Sequence, residues 1–216
     1  MKPFNYRLYL VTDEAACLGR DLVEVVEAAV QGGVDLVQLR EKHLSDAAYL
    51  AKGLRLREML DRYNVPLIIN DNLKVAVQCG AAGIHVGNSD IPPTDILKRW
   101  TDCGTLGYSL ELEEHLQSPS AKLADYLALS PVFSTPTKTN TVTEWGLEGI
   151  SRIRSLTSKP LVAIGRVSAA NAGDMVKAGA DCLAVISAIC SAPHPAHAAE
   201  ELRNEIEKYS TSYGKI

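Results

Sequence analysis

Three polar residues alternate at the end of an apolar segment that begins at Leu36. The segment ends in Gln38-Leu-Arg-Glu-Lys42, and alternate residues of an extended strand lie on one face. The amide of Gln38 and the cations of Arg40 and Lys42 would therefore point the same way. Two cations beside an amide suit a multiply charged oxyanion such as pyrophosphate. The motif alone leaves a solvated, charged strand end as the alternative.

Two aspartates follow the next two apolar segments. Asp71 comes directly after Asn70, and Asp90 follows the next segment by a short turn. Ends of neighbouring strands lie close enough for two carboxylates to share a cation, and Mg²⁺ is typically held by carboxylates together with water and phosphate oxygens. The structural alternative is that Asp71 caps the following helix and Asp90 shapes the turn before Pro92. Opposite a pyrophosphate site, Asp71 and Asp90 predict a magnesium site.

The longest polar connection in the chain, residues 133–146, is crowded with hydroxyl groups around one lysine. Long loops of this kind are usually lids or binding loops. We expect a flexible phosphate-binding loop at about 133–145, in which Thr135, Thr137 and Lys138 donate to anionic oxygens. A solvated, threonine-rich loop is the alternative.

The last two apolar segments end at Gly165 and Ser187. In phosphate-binding barrels the loops after the last two strands often hold a phosphate through backbone N–H groups. His85 lies inside the fourth segment, where a packing or hydrogen-bonding role is expected. The sequence shows no pairing of a nucleophile with a base, so it gives no support for covalent catalysis.

Short β-rich segments alternate with longer helical patterns throughout the chain. The candidate strands are Leu8–Thr12, Leu36–Arg40, Pro66–Asn70, Gly83–Val86, Thr105–Ser109, Tyr126–Pro131, Pro160–Gly165 and Cys182–Ser187; the helical patterns lie near 21–31, 46–63, 73–79, 93–101, 111–119, 147–156, 168–178 and 196–209. Continuously apolar strands are typical of parallel sheets. The pattern predicts one α/β domain over residues 1–216, a (β/α)₈ TIM barrel, with a doubly wound open sheet as the alternative. In such a barrel the site lies at the carboxyl ends of the strands.

Composition excludes several classes of protein. The 216 residues are 46% hydrophobic with a net charge of −4, which argues against nucleic-acid binding. No apolar run reaches the ~20 residues of a membrane span, and we expect no signal peptide. The five cysteines never occur as C-x-x-C, so we expect reduced thiols in a cytoplasmic protein and no zinc site. Small-molecule substrates are the expected partners, and a homo-oligomer is compatible with the sequence.

Taken together, these segments resemble the thiamine phosphate synthase (thiamine-phosphate pyrophosphorylase) family over nearly the whole chain. The most specific pieces are Gln38-Leu-Arg-Glu-Lys42, Asn70-Asp71, His85-Val-Gly with Asp90, Thr135-Pro-Thr-Lys138 and Val185-Ile-Ser187. The family is a TIM barrel that joins hydroxymethylpyrimidine pyrophosphate to hydroxyethylthiazole phosphate. Its products are thiamine phosphate and pyrophosphate.

The resemblance implies a role for each matching residue. The pyrimidine pyrophosphate would be bound by Gln38, Arg40, Lys42, Asn70, Ser109 and Lys138, of which Arg40, Lys42, Ser109 and Lys138 would act in catalysis. The thiazole phosphate would be held by Thr135, Thr137, Gly165, Ile186 and Ser187, and Mg²⁺ by Asp71 and Asp90.

The chain departs from the usual family pattern at several positions. Arg166 stands where a second glycine is usual, and the other departures are Asn88, Glu111, Ala128 and Cys182. An arginine could add a phosphate contact or crowd the site. Two alternatives remain: a thiazole tautomerase-like isomerase and a non-catalytic barrel that binds a phosphate ligand. The complete set of pyrophosphate-binding and metal-binding residues argues against both.

Overall fold

Eight parallel strands pair in chain order and close on themselves in the computed structural model, which describes residues 4–134 and 143–210. The strands are β1 Leu8–Val11, β2 Leu36–Leu39, β3 Leu67–Asn70, β4 Gly83–Val86, β5 Thr105–Leu110, β6 Tyr126–Leu129, β7 Leu161–Ile164 and β8 Cys182–Val185. The β1–β8 pairing, with Leu8 beside Leu183, closes the barrel. The predicted TIM barrel is confirmed, and the open-sheet alternative is wrong.

Helices follow the strands and cover the outside of the barrel. They are α1 Leu22–Gln31, α2 Asp46–Asp61, α3 Leu73–Gln78, α4 Pro93–Arg99, α5 Pro119–Leu123, α6 Gly146–Leu156, α7 Ala169–Lys177, α8 Ser187–Cys190 and α9 Pro195–Ser210. Side chains cap several helix starts: Asp21 accepts from Val23 N and Glu24 N, and Ser45 accepts from Ala48 N. None of these helices is long and apolar enough to cross a membrane, within the described ranges.

Each strand divides its side chains between two apolar cores. One set packs against the helices, and the other fills the barrel interior with residues such as Tyr9, Leu36, Ile68, Tyr126 and Val162. This division follows from the two-residue repeat of a strand. It explains why the strands are buried on both faces and read as continuous apolar segments.

The fifth helical pattern, predicted near 111–119, is wrong as a single helix. A 3₁₀ helix spans Glu113–Gln117, and α5 starts anew at Pro119. Ser118 is extended (φ −64°, ψ 152°), as a residue before proline prefers, so one helix cannot continue through this point. Two short helices, Ala15–Cys17 and α8, were not predicted, and Ser187 begins α8 instead of ending a strand.

Candidate active site

A cavity of about 720 Å³ opens at the carboxyl ends of the strands. Its volume lies in the range of small-molecule sites. The predicted site residues that line it are Gln38, Arg40, Lys42, Asn70, Asp71, Asp90, Ser109, Gly165, Ile186 and Ser187. Thr135, Thr137 and Lys138, in the loop predicted at about 133–145, lie outside the described residues.

Alternate side chains at and after the end of β2 point to the cavity, as the two-residue repeat of a strand predicts. Gln38, Arg40 and Lys42 line the cavity. The carboxylate of Glu41 instead accepts from Lys52 Nζ at 2.5 Å. Thr12, which the sequence analysis did not select, accepts a hydrogen bond from the backbone N–H of Arg40 (3.1 Å). The two candidate cations therefore share one side of the mouth.

Asp71 follows β3, the strand next to β2, and has a left-handed backbone conformation (φ 60°). Its Oδ2 accepts from Lys42 Nζ at 2.5 Å, and its Oδ1 accepts from Asn70 Nδ2 at 2.8 Å. Burial raises the pKa of the Asp71 carboxyl, and the neighbouring carboxylate of Asp90 raises it further, while Lys42 acts in the opposite direction. The site thus holds two like charges close together.

Asp71 does not cap the helix that follows it, because Asn72 does: its side chain accepts from Val75 N at 3.0 Å. Asp90 does shape its turn, since its Oδ2 accepts from Gly87 N at 2.8 Å. Both carboxylates nevertheless line the cavity. No group of three or more His, Cys, Asp or Glu side chains placed to hold a metal occurs in the described part of the chain.

Asn70 has one polar atom without a partner in the described part of the chain. Its Nδ2 donates to Asp71 Oδ1 at 2.8 Å and to the carbonyl of His85 at 3.4 Å. Its Oδ1 is buried and accepts no hydrogen bond from the described residues. Because the amide hydrogens are engaged, the unpaired atom of this cavity-lining residue is an acceptor.

A chain of hydrogen bonds runs below the mouth. Gln38 Nε2 donates to Tyr9 OH (2.6 Å), and Tyr9 OH lies 3.0 Å from Tyr126 OH. His85 joins Tyr126 OH through Nδ1 and Ser109 Oγ through Nε2, each at 2.9 Å. Burial raises the pKa of both phenols, so they stay protonated. The predicted hydrogen-bonding role of His85 is confirmed.

Another part of the mouth is formed by the ends of β7 and β8. Gly165 has a φ of +120°, and a Cβ there would lie 2.8 Å from Pro131 Cβ and 2.9 Å from Val132 N. Only glycine therefore fits at this point. Arg166 follows with a φ of 54°, exposed at the cavity wall, and its carbonyl accepts from Asn171 Nδ2 at 2.9 Å.

The other four residues that depart from the usual family pattern lie in different surroundings. Asn88, Glu111 and Ala128 line the cavity, and the Asn88 side chain accepts from Tyr108 OH. Cys182 is fully buried in the barrel interior, as a packing residue. The sequence analysis missed Tyr9 and Tyr126 as part of the site. The two-residue repeat could have placed them inside the barrel, but their contact depends on the pairing of distant strands.

Comparisons with known proteins agree with this geometry. A family model described as thiamine monophosphate synthase matches residues 8–189. The chain is 48% identical over 201 residues to the thiamine-phosphate synthase of Albidiferax ferrireducens (93% of this chain and 92% of that protein). It is 43% identical over 203 residues to the thiamine-phosphate synthase of Leptospira biflexa (92% and 96%).

Solved structures give the same result. A thiamine phosphate pyrophosphorylase from Pyrococcus furiosus has a TM-score of 0.86 and 31% sequence identity, covering 95% of this chain and 97% of that chain. A 3-hexulose-6-phosphate synthase, 18% identical with a TM-score of 0.68, shares the fold alone. The sequence matches cover nearly all of each relative. The chain therefore belongs to the thiamine monophosphate synthase family.

Proposed function

We propose that this protein is a thiamine-phosphate synthase, a transferase that joins hydroxymethylpyrimidine pyrophosphate to hydroxyethylthiazole phosphate. The observation that carries the proposal is the arrangement of Arg40 and Lys42 beside the carboxylates of Asp71 and Asp90 in one cavity. Cations and a carboxylate pair together suit a pyrophosphate bound with a divalent cation. The family membership supplies the identity of the two substrates.

The pyrophosphate would bind on the β2 side of the mouth. The guanidinium of Arg40 pairs with no carboxylate of the described residues, and the side chain of Lys42 is 43% exposed beside Asp71. Both cations can therefore turn to anionic oxygens, and Ser109 can add a hydroxyl donor. The buried, unpaired Oδ1 of Asn70 suits a different part of the substrate, because an acceptor repels phosphate oxygens. We assign it to the exocyclic amino group of the pyrimidine.

The residues present fit Mg²⁺. Two carboxylates lie together, and the like charge that raises the pKa of Asp71 would be neutralised by a divalent cation. Asp71 and Asp90 would hold the ion, with its remaining positions open to water and pyrophosphate oxygens, as Mg²⁺ prefers. Bound there, Mg²⁺ supplies charge neutralisation for the leaving pyrophosphate.

The reaction needs a good leaving group more than a base. The bond between the pyrimidine methylene carbon and the pyrophosphate oxygen breaks, and its electron pair leaves on pyrophosphate, where Arg40, Lys42 and Ser109 stabilise the charge. The aminopyrimidine can carry positive charge at the methylene, so a dissociative step is expected. The thiazole nitrogen then forms the new carbon–nitrogen bond with its own lone pair. No proton has to be removed.

The thiazole phosphate would bind on the other side of the mouth, at Gly165, Ile186 and Ser187, which line the cavity. Arg166 adds a cation at the same wall. Thr135, Thr137 and Lys138 stay predicted ligands from the loop. We further propose that the enzyme acts in the cytoplasm, which suits its five cysteines, all buried and none joined in a disulfide. A homo-oligomer stays a prediction that sedimentation would test.

The deciding experiment measures pyrophosphate release with both substrates and Mg²⁺. Release should require both substrates, stop with EDTA, and fall on the order of 100-fold in Lys42→Ala, because a charge-stabilising group is lost. Lys98→Ala is the matched control, since Lys98 pairs with Asp95 on the exposed face of α4 and should not change the rate. Substrate binding by folded protein without release would favour the non-catalytic binding barrel. Isomerisation of the thiazole without release would favour the tautomerase.

A further inference from the structure

The hydrogen-bonded chain below the mouth connects two residues of the proposed site. It starts at Gln38 on β2, passes Tyr9 on β1, Tyr126 on β6 and His85 on β4, and ends at Ser109 on β5. Every link joins two different strands, and all donor–acceptor distances lie between 2.6 and 3.0 Å. These five residues are called the interior chain below.

The interior chain has a direction. Each phenol has a single hydrogen, and each ring nitrogen of a neutral imidazole carries either a hydrogen or a lone pair. Gln38 Nε2 donates to Tyr9, and neither phenol has another acceptor among the described residues. If every phenol hydrogen is used, the Tyr9 hydrogen therefore goes to Tyr126 and the Tyr126 hydrogen to His85 Nδ1. His85 Nδ1 is then an acceptor, so Nε2 carries the hydrogen and donates to Ser109 Oγ. The hydrogen of Ser109 is left to point into the mouth.

We propose that the interior chain orients the Ser109 hydroxyl as a donor towards the cavity and holds His85 as the neutral Nε2–H tautomer. In this view Tyr9, Tyr126 and His85 are positioning residues that act through Ser109. The identity of the anion that receives the hydrogen bond rests on the proposed function. The direction of the interior chain rests on the donation from Gln38 Nε2 to Tyr9 OH.

The reverse direction would give a poor anion site. It requires the Gln38 amide to turn over, so that Oε1 accepts from Tyr9. Every later donor would then become an acceptor, and Ser109 would donate inwards to His85 Nε2. Its oxygen would present only lone pairs to the mouth and would repel a phosphate oxygen.

A glycine on β5 leaves room for two members of the interior chain to meet. Gly107 on β5 pairs with His85 on one side and with Tyr126 on the other. A Cβ at Gly107 would lie 2.2 Å from Tyr126 OH and 2.4 Å from His85 Nδ1. The glycine therefore lets two side chains meet across the strand between them. Tyr9, Tyr126 and His85 are at least nine-tenths buried, so water cannot readily replace a missing partner.

The first test is the ¹⁵N NMR spectrum of histidine side chains in the ligand-free, full-length protein. The His85 signals are assigned by their loss in His85→Gln. We expect a hydrogen on Nε2 and a lone pair on Nδ1. A hydrogen on Nδ1, alone or together with one on Nε2, would overturn the proposal. This result does not depend on the reaction, so it stands whether or not the protein is a synthase.

The second test compares two replacements of His85. Glutamine can place an amide N–H near the position of Nε2 and keep the donor to Ser109, whereas asparagine reaches only the position of Nδ1. We expect His85→Asn to lower kcat/KM for the pyrimidine substrate about tenfold more than His85→Gln, since a hydrogen bond to a charged group is at stake. Equal losses in the two variants at equal melting temperature would contradict the role of Nε2.

A third test breaks the chain without touching His85. Tyr126→Phe removes the hydrogen that His85 Nδ1 accepts, so the imidazole should lose its single tautomer in the ¹⁵N spectrum. Tyr63→Phe is the matched control, because this phenol also has two partners, Gln31 and Glu27, and lies outside the cavity. A spectrum of His85 that is unchanged in Tyr126→Phe would show that the chain does not set the tautomer.

Discussion

The ammonium nitrogen of Lys42 lies 2.5 Å from Oδ2 of Asp71. The two residues come from the ends of neighbouring strands, so a cation for the pyrophosphate and a carboxylate for the metal share one edge of the mouth. The pair is partly exposed, with Lys42 43% and Asp71 23% accessible, and solvent-screened pairs of this kind contribute about 0–1 kcal/mol to stability. We therefore expect the Lys42–Asp71 pair to matter for catalysis and to contribute little to the stability of the fold.

Replacing either carboxylate by its amide should raise the Mg²⁺ requirement. In Asp71→Asn and Asp90→Asn the site loses a negative ligand, so the Mg²⁺ concentration for half-maximal activity should rise, with kcat lowered on the order of 100-fold. A Mg²⁺ titration of the initial rate checks this. Asp95→Asn, on the exposed face of α4, is the control. An unchanged Mg²⁺ titration in both site variants would show that these carboxylates do not bind the metal.

Removing the side chain of Arg166 should weaken the binding of the thiazole phosphate. We expect Arg166→Gly to raise the KM for this substrate about tenfold at nearly constant kcat, because one charge-assisted hydrogen bond is lost. Arg166→Lys keeps both the charge and the strained backbone, and should stay close to the wild type. A kcat that rises in Arg166→Gly would instead show that the arginine crowds the site.

Gly165→Ala should destabilise the fold. The new Cβ would overlap Pro131 and Val132, and a φ of +120° is unfavourable for alanine. Together these effects should lower the free energy of unfolding by about 2–4 kcal/mol. Gly19→Ala is the control, since Gly19 has a positive φ (+82°) but nothing within 4 Å of the new Cβ. Urea unfolding measures the free energy of unfolding of both variants. Equal losses of stability would show that the overlap at Gly165 contributes nothing.

The unpartnered Oδ1 of Asn70 predicts a contact with the pyrimidine amino group. In the wild-type protein, a pyrimidine pyrophosphate without that amino group should bind about tenfold more weakly, since the buried acceptor stays unpaired. In Asn70→Ala the two ligands should bind almost equally. Calorimetry without the thiazole substrate measures all four affinities. The same preference for the amino group in both proteins would place this contact elsewhere.

Local patterns determined most of the fold. The strands and most helices could be predicted because their periods, 2.0 and about 3.6 residues, depend only on near neighbours. The same local rule placed Gln38, Arg40 and Lys42 on one face. The topology rule that sites lie at the carboxyl ends of barrel strands then added Asp71 and Asp90.

Only the closed barrel decided the parts that depend on distant pairing. Tyr9 and Tyr126 are separated by 117 positions in the chain, and their hydroxyls meet because β1 and β6 face each other across the interior. No local pattern specifies such a contact. The glycine between His85 and Tyr126 is likewise an ordinary strand residue until β4 and β6 lie on either side of it. The sequence alone predicted that Gln38, Arg40, Lys42, Asp71 and Asp90 reach the mouth. Tertiary packing decided which side chains meet in the interior to form hydrogen bonds.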